Sequence, residues 1–297
     1  MTRAAVERTV EKHFPVVAGV TLKIDTCQGA IRVETSADSQ IHVLIRETIT
    51  AADDAEADLR LQDLDLKIEQ TADSVLLLAR YRRQAHWMWQ SWPPVGLSYV
   101  VNVPRGCNLD LTTLEGDITI GAIEGAVRAR VETGAIFTGE VTGSVDAACT
   151  RGDLSVTACS GALTLLTKAG NVLVGRAGGL TKIDGAGGTI EVQNSRGKLS
   201  VAANNADIKI GFAHPLTESA DLHAAGGDIE VAFDRRSACT LSAFSSMFGR
   251  VRVRDLPLTV ESGKIGSSHL IVTLNGGGPT ILVDASGGNV HLVGREP

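Results

Sequence analysis

The chain has 297 residues, a formal net charge of −6, 4% aromatic residues and 32 glycines. An acidic balance of this kind speaks against the basic face that nucleic-acid binding needs. No apolar run approaches the roughly 20 residues that span a bilayer.

The opening Met1–His13 lacks the apolar stretch of a secretory signal, so the expected location is cytoplasmic. Five scattered cysteines without a C-x-x-C pair fit a reducing setting. Two of them, Cys149 and Cys159, fall at inward positions and read as small buried hydrophobes rather than disulfide or metal ligands. Val6–Phe14 suits either a short helix or an edge strand. Val20, Leu22 and Ile24 alternate, Gly29-Ala-Ile-Arg-Val follows, and Ile41, Val43 and Ile45 alternate again, which is the period of a strand with one buried face. Residues 51–63 lack that period and suit a short helix or charged loop. Strands are expected at Leu64–Gln70, Ser74–Tyr81 and Leu97–Val103, the last stopped by Pro104.

From Gly116 to Gly197 a glycine recurs every nine residues, ten times without an insertion. Two residues after nearly every one stands an apolar side chain, Thr181 being the exception. The two nine-residue halves differ, so the true period is eighteen. Nine residues hold a strand of about five, rising about 3.3 Å per residue, and a turn of about four. Glycine suits each corner because it reaches positive φ without a Cβ penalty. If coils stack about 4.8 Å apart, residue i lies over i+18, and Ile118, Ile136, Leu154, Val172 and Ile190 form one inward column, with Val127, Val145 and Leu163 in another. A meander of nine-residue hairpins is the competing geometry. It has no reason to keep one turn length or two alternating halves, whereas a stack does. After Gly197 the register loosens, with loops expected near His214-Pro215 and Asp255–Pro257 and the strand motif returning at Gly227, Gly249 and Gly288.

The repeated Gly-Asp-Ile-Thr-Ile, Gly-Asp-Leu-Ser-Val, Gly-Asn-Val-Leu-Val and Gly-Asp-Ile-Glu-Val, preceded by Tyr99-Val-Val-Asn-Val-Pro104, resemble the bacterial putative-adhesin family of β-strand-repeat proteins, over about Phe14 to Val293. The resemblance implies a right-handed β-solenoid (β-helix), no established catalytic residues, and in many members an envelope association.

The candidate sites are weighed against structural readings. Calcium-binding β-rolls need G-G-x-G-x-D repeats; here Asp117 and Asp153 follow their glycines, but Ala135 and Thr189 take that place in other repeats. A polysaccharide-cleaving helix needs acids clustered on one outward face. One outward column reads Thr119, Phe137, Ser155, Leu173, Glu191, Lys209, and the other Arg128, Asp146, Thr164, Lys182, Ser200, without paired carboxylates. The seven histidines show no ligand spacing. Arg250 and Arg252 are expected over Asp228 and Glu230, as opposite-charge pairs. All three tryptophans lie in His86-Trp-Met-Trp-Gln-Ser-Trp, so Trp87, Met88, Trp89 and Trp92 are the candidate partner-binding residues, or else a cap over the core. The tail Gly287–Pro297 is expected to leave an open edge strand and so promote self-association.

These readings combine into an all-β fold: one domain over 14–294, a β-solenoid of about 18-residue coils with two short strands each. It divides into an irregular β section with a short helix or loop insertion (14–104), regular coils (105–211) and looser coils (212–294). The expected role is a non-enzymatic scaffold or adhesin-like interaction module without cofactor or metal, binding a protein partner or further copies of itself. A β-helix carbohydrate-active enzyme with its site in the irregular loops is the alternative, and glycan or membrane-surface contact stays open.

Overall fold

A computed structural model describes residues 4–82, 94–246 and 248–296. The chain groups into two compact units that meet in sequence at Gly139/Glu140, and each is all-β apart from one helix in the first.

The first unit contains β1 (Ala4–Pro15), β2 (Thr21–Thr26), β3 (Ala30–Ser36), β4 (Gln40–Ala51), α1 (Asp54–Gln62), β5 (Leu64–Gln70), β6 (Ser74–Tyr81), β7 (Val95–Pro104), β8 (Asn108–Glu115), β9 (Ile118–Ile120) and β10 (Val127–Thr133), and β11 (Ile136–Val141) carries the boundary. One sheet runs β1-β4-β7-β3-β9-β11 and the other β5-β6-β2-β8-β10. Pairing is antiparallel for β1/β4, β4/β7 and β5/β6 and parallel elsewhere in the unit, as in β2/β8 and β9/β11. Val6–Phe14 is therefore an edge strand, and its partner β4 buries every second residue from Ile41 to Ala51. The helix forms where alternation stops. Asp53 accepts from Glu56 N at 2.8 Å and Glu56 accepts from Ala52 N at 2.8 Å, a reciprocal cap that satisfies two otherwise orphaned donors.

The second unit follows the eighteen-residue rule. Its strands β12 (Val145–Arg151), β14 (Leu163–Thr167), β16 (Thr181–Ala186) and β18 (Leu199–Asn204) form one parallel ladder; β13 (Leu154–Cys159), β15 (Val172–Ala177), β17 (Thr189–Ser195) and β19 (Asp207–Phe212) form the other. Leu154, Val172, Ile190 and Ile208 stand in register, as do Val145, Leu163, Thr181 and Leu199, and all eight are buried. Thr181 tolerates its place because its hydroxyl donates to the Gly179 carbonyl at 3.2 Å. The next step is twenty-one residues, Ile208 to Ile229 and Leu199 to Ala220, on β21 (Ile229–Asp234) and β20 (Ala220–Ala225). The extra residues lie in the loop holding His214-Pro215, as expected.

Beyond β21 the order departs from simple stacking. The chain builds β22 (Cys239–Ser246) and β23 (Val251–Arg254), turns through antiparallel β24 (Leu258–Gly263) and β25 (His269–Leu274), then returns. The returning β26 (Thr280–Ser286) enters between β20 and β22, and β27 (Val290–Arg295) between β21 and β23. Two expectations are thereby corrected. The tail is an interior strand, not an open edge; the ends of these two sheets are β23 and β24. Arg252 sits over His291, which sits over Glu230, and Arg250 N faces Asn289 rather than Asp228. The physical reason is that glycine register alone does not say which coil a strand joins.

The glycine column also has two causes instead of one. Gly116, Gly134, Gly152 and Gly170 adopt φ of +129° to +145°. The alternate set, such as Gly161, does not; a Cβ there would lie 2.4 Å from the Gly143 carbonyl oxygen, so close backbone approach excludes any side chain.

Candidate functional site

At several corners the side chain after the first-half glycine, or after Ala206 in its place, accepts a backbone N–H from the neighbouring strand's corner. Within the first unit Asp117 Oδ1 accepts from Ala135 N at 2.8 Å. In the second, Asp153 accepts from Asn171 N at 2.7 Å, Asn171 from Thr189 N at 3.0 Å, Asp207 from Asp228 N at 2.9 Å, and Asp228 from Asn289 N at 2.7 Å. These carboxylates and amides satisfy corner N–H groups. That gives the Gly-Asp and Gly-Asn pairs a structural role at the corners.

The outward positions form mixed faces. In the second unit one ladder reads Ser155, Leu173, Glu191, Lys209, Glu230, His291 and Arg252. A shallow groove beside its end is lined by Glu230, Arg252, Arg254, Ile265 and His291. Another groove lies around Glu140, Ser160, Arg176, Asn194 and Arg196, with Arg176 Nη2 paired to Glu140 at 2.5 Å. Among the described residues no disulfide joins the five cysteines. Cys149 and Cys159 are buried as expected. Burial pushes the Cys107 and Cys239 thiols up to about 11, which keeps them protonated and poorly reactive.

Trp87, Met88, Trp89 and Trp92 lie outside the described residues. The strands flanking that segment in sequence, β6 and β7, are tied by a polar cluster. Gln28 Nε2 donates to the Val95 carbonyl at 2.6 Å, and the Tyr81 hydroxyl donates to the same oxygen. Tyr99, 1% exposed, donates its hydroxyl to Thr26 Oγ1 at 3.0 Å, and Thr26 in turn donates to the Gln28 carbonyl at 2.6 Å. Glu47 is 6% exposed on the inward side of β4. Its burial raises its pKa, partly offset by the Arg8 cation. Both tyrosines are held well above the ordinary phenol range, chiefly by burial.

Strand pairing produces one cluster that sequence spacing misses. His13 on β1 stands opposite His42 on β4. Their rings stack with centroids 4.2 Å apart and planes 5° from parallel. Both Nε2 atoms turn to Glu11 Oε1, His42 at 2.8 Å and His13 at 3.5 Å. The two histidines are twenty-nine positions apart in sequence, so only the β1/β4 register brings them together.

No family model matches the chain, and no curated protein does. Solved structures do. A putative adhesin from Bacteroides fragilis aligns at 11% identity and TM-score 0.41, covering 96% of this chain and 97% of its own. A putative lipid-binding protein from Parabacteroides distasonis aligns at 10% and 0.44, covering 96% of each. A putative adhesin from the same species aligns at 9% and 0.42, covering 96% and 97%. Among the described residues no helix is long and apolar enough to cross a membrane.

Proposed function

We propose that the protein is a non-enzymatic, adhesin-like interaction module built on β-solenoid coils, right-handed as the sequence resemblance implies. The observation that carries this reading is the division of labour across each coil. Inward positions are filled with aliphatic side chains, while outward positions form long ladders that mix apolar, acidic and basic groups. Such a face offers many weak contacts over a broad area, which suits binding to a repeating or extended partner better than transformation of a small substrate.

Self-association belongs to this reading, because sheets end in strands with unpaired backbone groups. The ends are β1 and β5 in the first unit and β23 and β24 in the second. Charged residues on β1, among them Glu7, Glu11 and Lys12, restrain its pairing. We assign a further partner contact to Trp87, Met88, Trp89 and Trp92, since clustered tryptophans carry binding energy efficiently.

The test combines a glycan array, a reducing-end assay on the polysaccharides it selects, and sedimentation velocity with electron microscopy. Retention or concentration-dependent assembly without new reducing ends is expected. Release of new ends would make the chain a carbohydrate-active enzyme, and a strict monomer at high concentration would remove the self-association. A Trp87→Ala/Trp89→Ala double variant that melts early yet binds and assembles normally would reduce that segment to a cap.

A further inference from the structure

We infer that Glu11, His13 and His42 form a surface site for a divalent first-row cation of the zinc type, clamping the edge strand β1 to β4. The argument starts from donor chemistry. Two imidazoles and one carboxylate are a donor set that suits Zn²⁺, and Ni²⁺ or Cu²⁺ by the same softness. The three donor atoms all lie within 4.8 Å of one another; His13 and His42 face each other across two hydrogen-bonded strands and Glu11 lies two residues before His13 on the same face, so the backbone holds their spacing.

The present arrangement leaves a reason for the cation. Both Nε2 atoms converge on a single carboxylate oxygen. The two rings stack with centroids 4.2 Å apart, so their nitrogens and the carboxylate oxygen already stand on one side of the strand pair, where one dication can be shared by three donors. Zinc–ligand bonds of about 2.0–2.2 Å put tetrahedral ligands roughly 3.3 Å apart. Small rotations of side chains that are exposed (Glu11, His13) or half-buried (His42) close the remaining gap.

The neighbours are compatible. On the outward row His42 is followed by Asn102 on β7 and then Glu34 on β3, neither of them basic. Arg46 lies two residues along β4 from Leu44, the residue opposite Glu11, and is the cation that would compete for the carboxylate. The side of His13 away from β4 is the sheet edge, so the fourth position is open to water or to a ligand atom from a binding partner. A site of this kind is independent of the adhesin-like reading.

The experiment is calorimetric titration of the untagged, metal-stripped protein with zinc chloride, repeated with His13→Gln, His42→Gln, Cys27→Ser and His223→Gln. One saturable equivalent is expected, with roughly 10- to 100-fold weaker binding in either of the first two variants, the range that loss of a ligand's outer partner already produces. The last two variants, at a half-buried thiol and at a histidine beside Asp284, are expected to bind as the parent does. Zinc is also expected to slow amide exchange across Ala4–Pro15 in the parent and not in His42→Gln, whose fold is checked by its circular dichroism. Absence of saturable binding, unchanged affinity in the His13→Gln/His42→Gln double variant, or loss of binding in Cys27→Ser or His223→Gln would each overturn the site.

Discussion

At the scale of single residues, each corner shows why the repeat tolerates so little change. A Cβ at Gly170 would lie 2.0 Å from the Gly152 carbonyl oxygen, and its φ is +145°. Gly170→Ala is therefore expected to cost at least about 2 kcal/mol of unfolding free energy. Gly187 has φ of +71° but nothing within 4 Å of its ideal Cβ, so Gly187→Ala is expected to cost only about 1–2 kcal/mol; denaturant unfolding of the two variants separates crowding from backbone strain. Glu47 makes a pH-dependent case. Burial raises its pKa above the unfolded value of about 4.5, so between those values the folded state holds a proton that the unfolded state has released. Stability from this group is then fully present below about pH 4.5 and lost as pH rises through the folded pKa. Thermal melts of Glu47→Gln are expected to exceed the parent at neutral pH, with the gap closing on acidification. Asp153 and Asn171 show what could be read from sequence and what could not. Their place after the glycine is visible in the motif, but their role as acceptors for the next coil's N–H emerges only from the stacked register.

At the scale of elements, alternation and breakers were enough to place β5 and β6 at the observed bounds, and β7 to within two residues at its start. The break in alternation over 51–63 was legible, but the choice between helix and charged loop was not; the reciprocal Asp53/Glu56 cap that decides it is seen only in the structure. The eighteen-residue stack was legible because like side chains recur at one spacing, and parallel pairing follows from it. Partner choice was not legible where the spacing breaks. Nothing in Gly249-Arg-Val-Arg-Val says that Val251 joins Val290 and not Ile229, since both strands present the same pattern. The His13/His42 contact was hidden for the same reason, because antiparallel register across a long connection leaves no local mark. The inserted strand yields a direct prediction. Val290–Val293 is paired on both sides, so its amides are expected to exchange as slowly as those of Ile229–Ala232, which is also flanked by two strands. Exchange mass spectrometry that found β27 frayed would contradict the insertion.

At the scale of the whole molecule, most contacts among the described residues join positions far apart in sequence. Steps of eighteen residues build the regular parallel ladders, and the closing step from Ile229 to Val290 spans sixty-one. Long-range pairing of this kind slows folding, so stopped-flow refolding is expected in milliseconds to seconds, not microseconds. β20, β21, β22 and β23 are all synthesised before β26, which lies between β20 and β22, and β27, which lies between β21 and β23. During synthesis, then, a ribosome halted between Arg254 and Thr280 would release a chain whose two half-built surfaces carry matching rows of amides and carbonyls. Those rows are the template that a stray strand from another molecule could fill, which makes the completeness of translation itself a determinant of solubility.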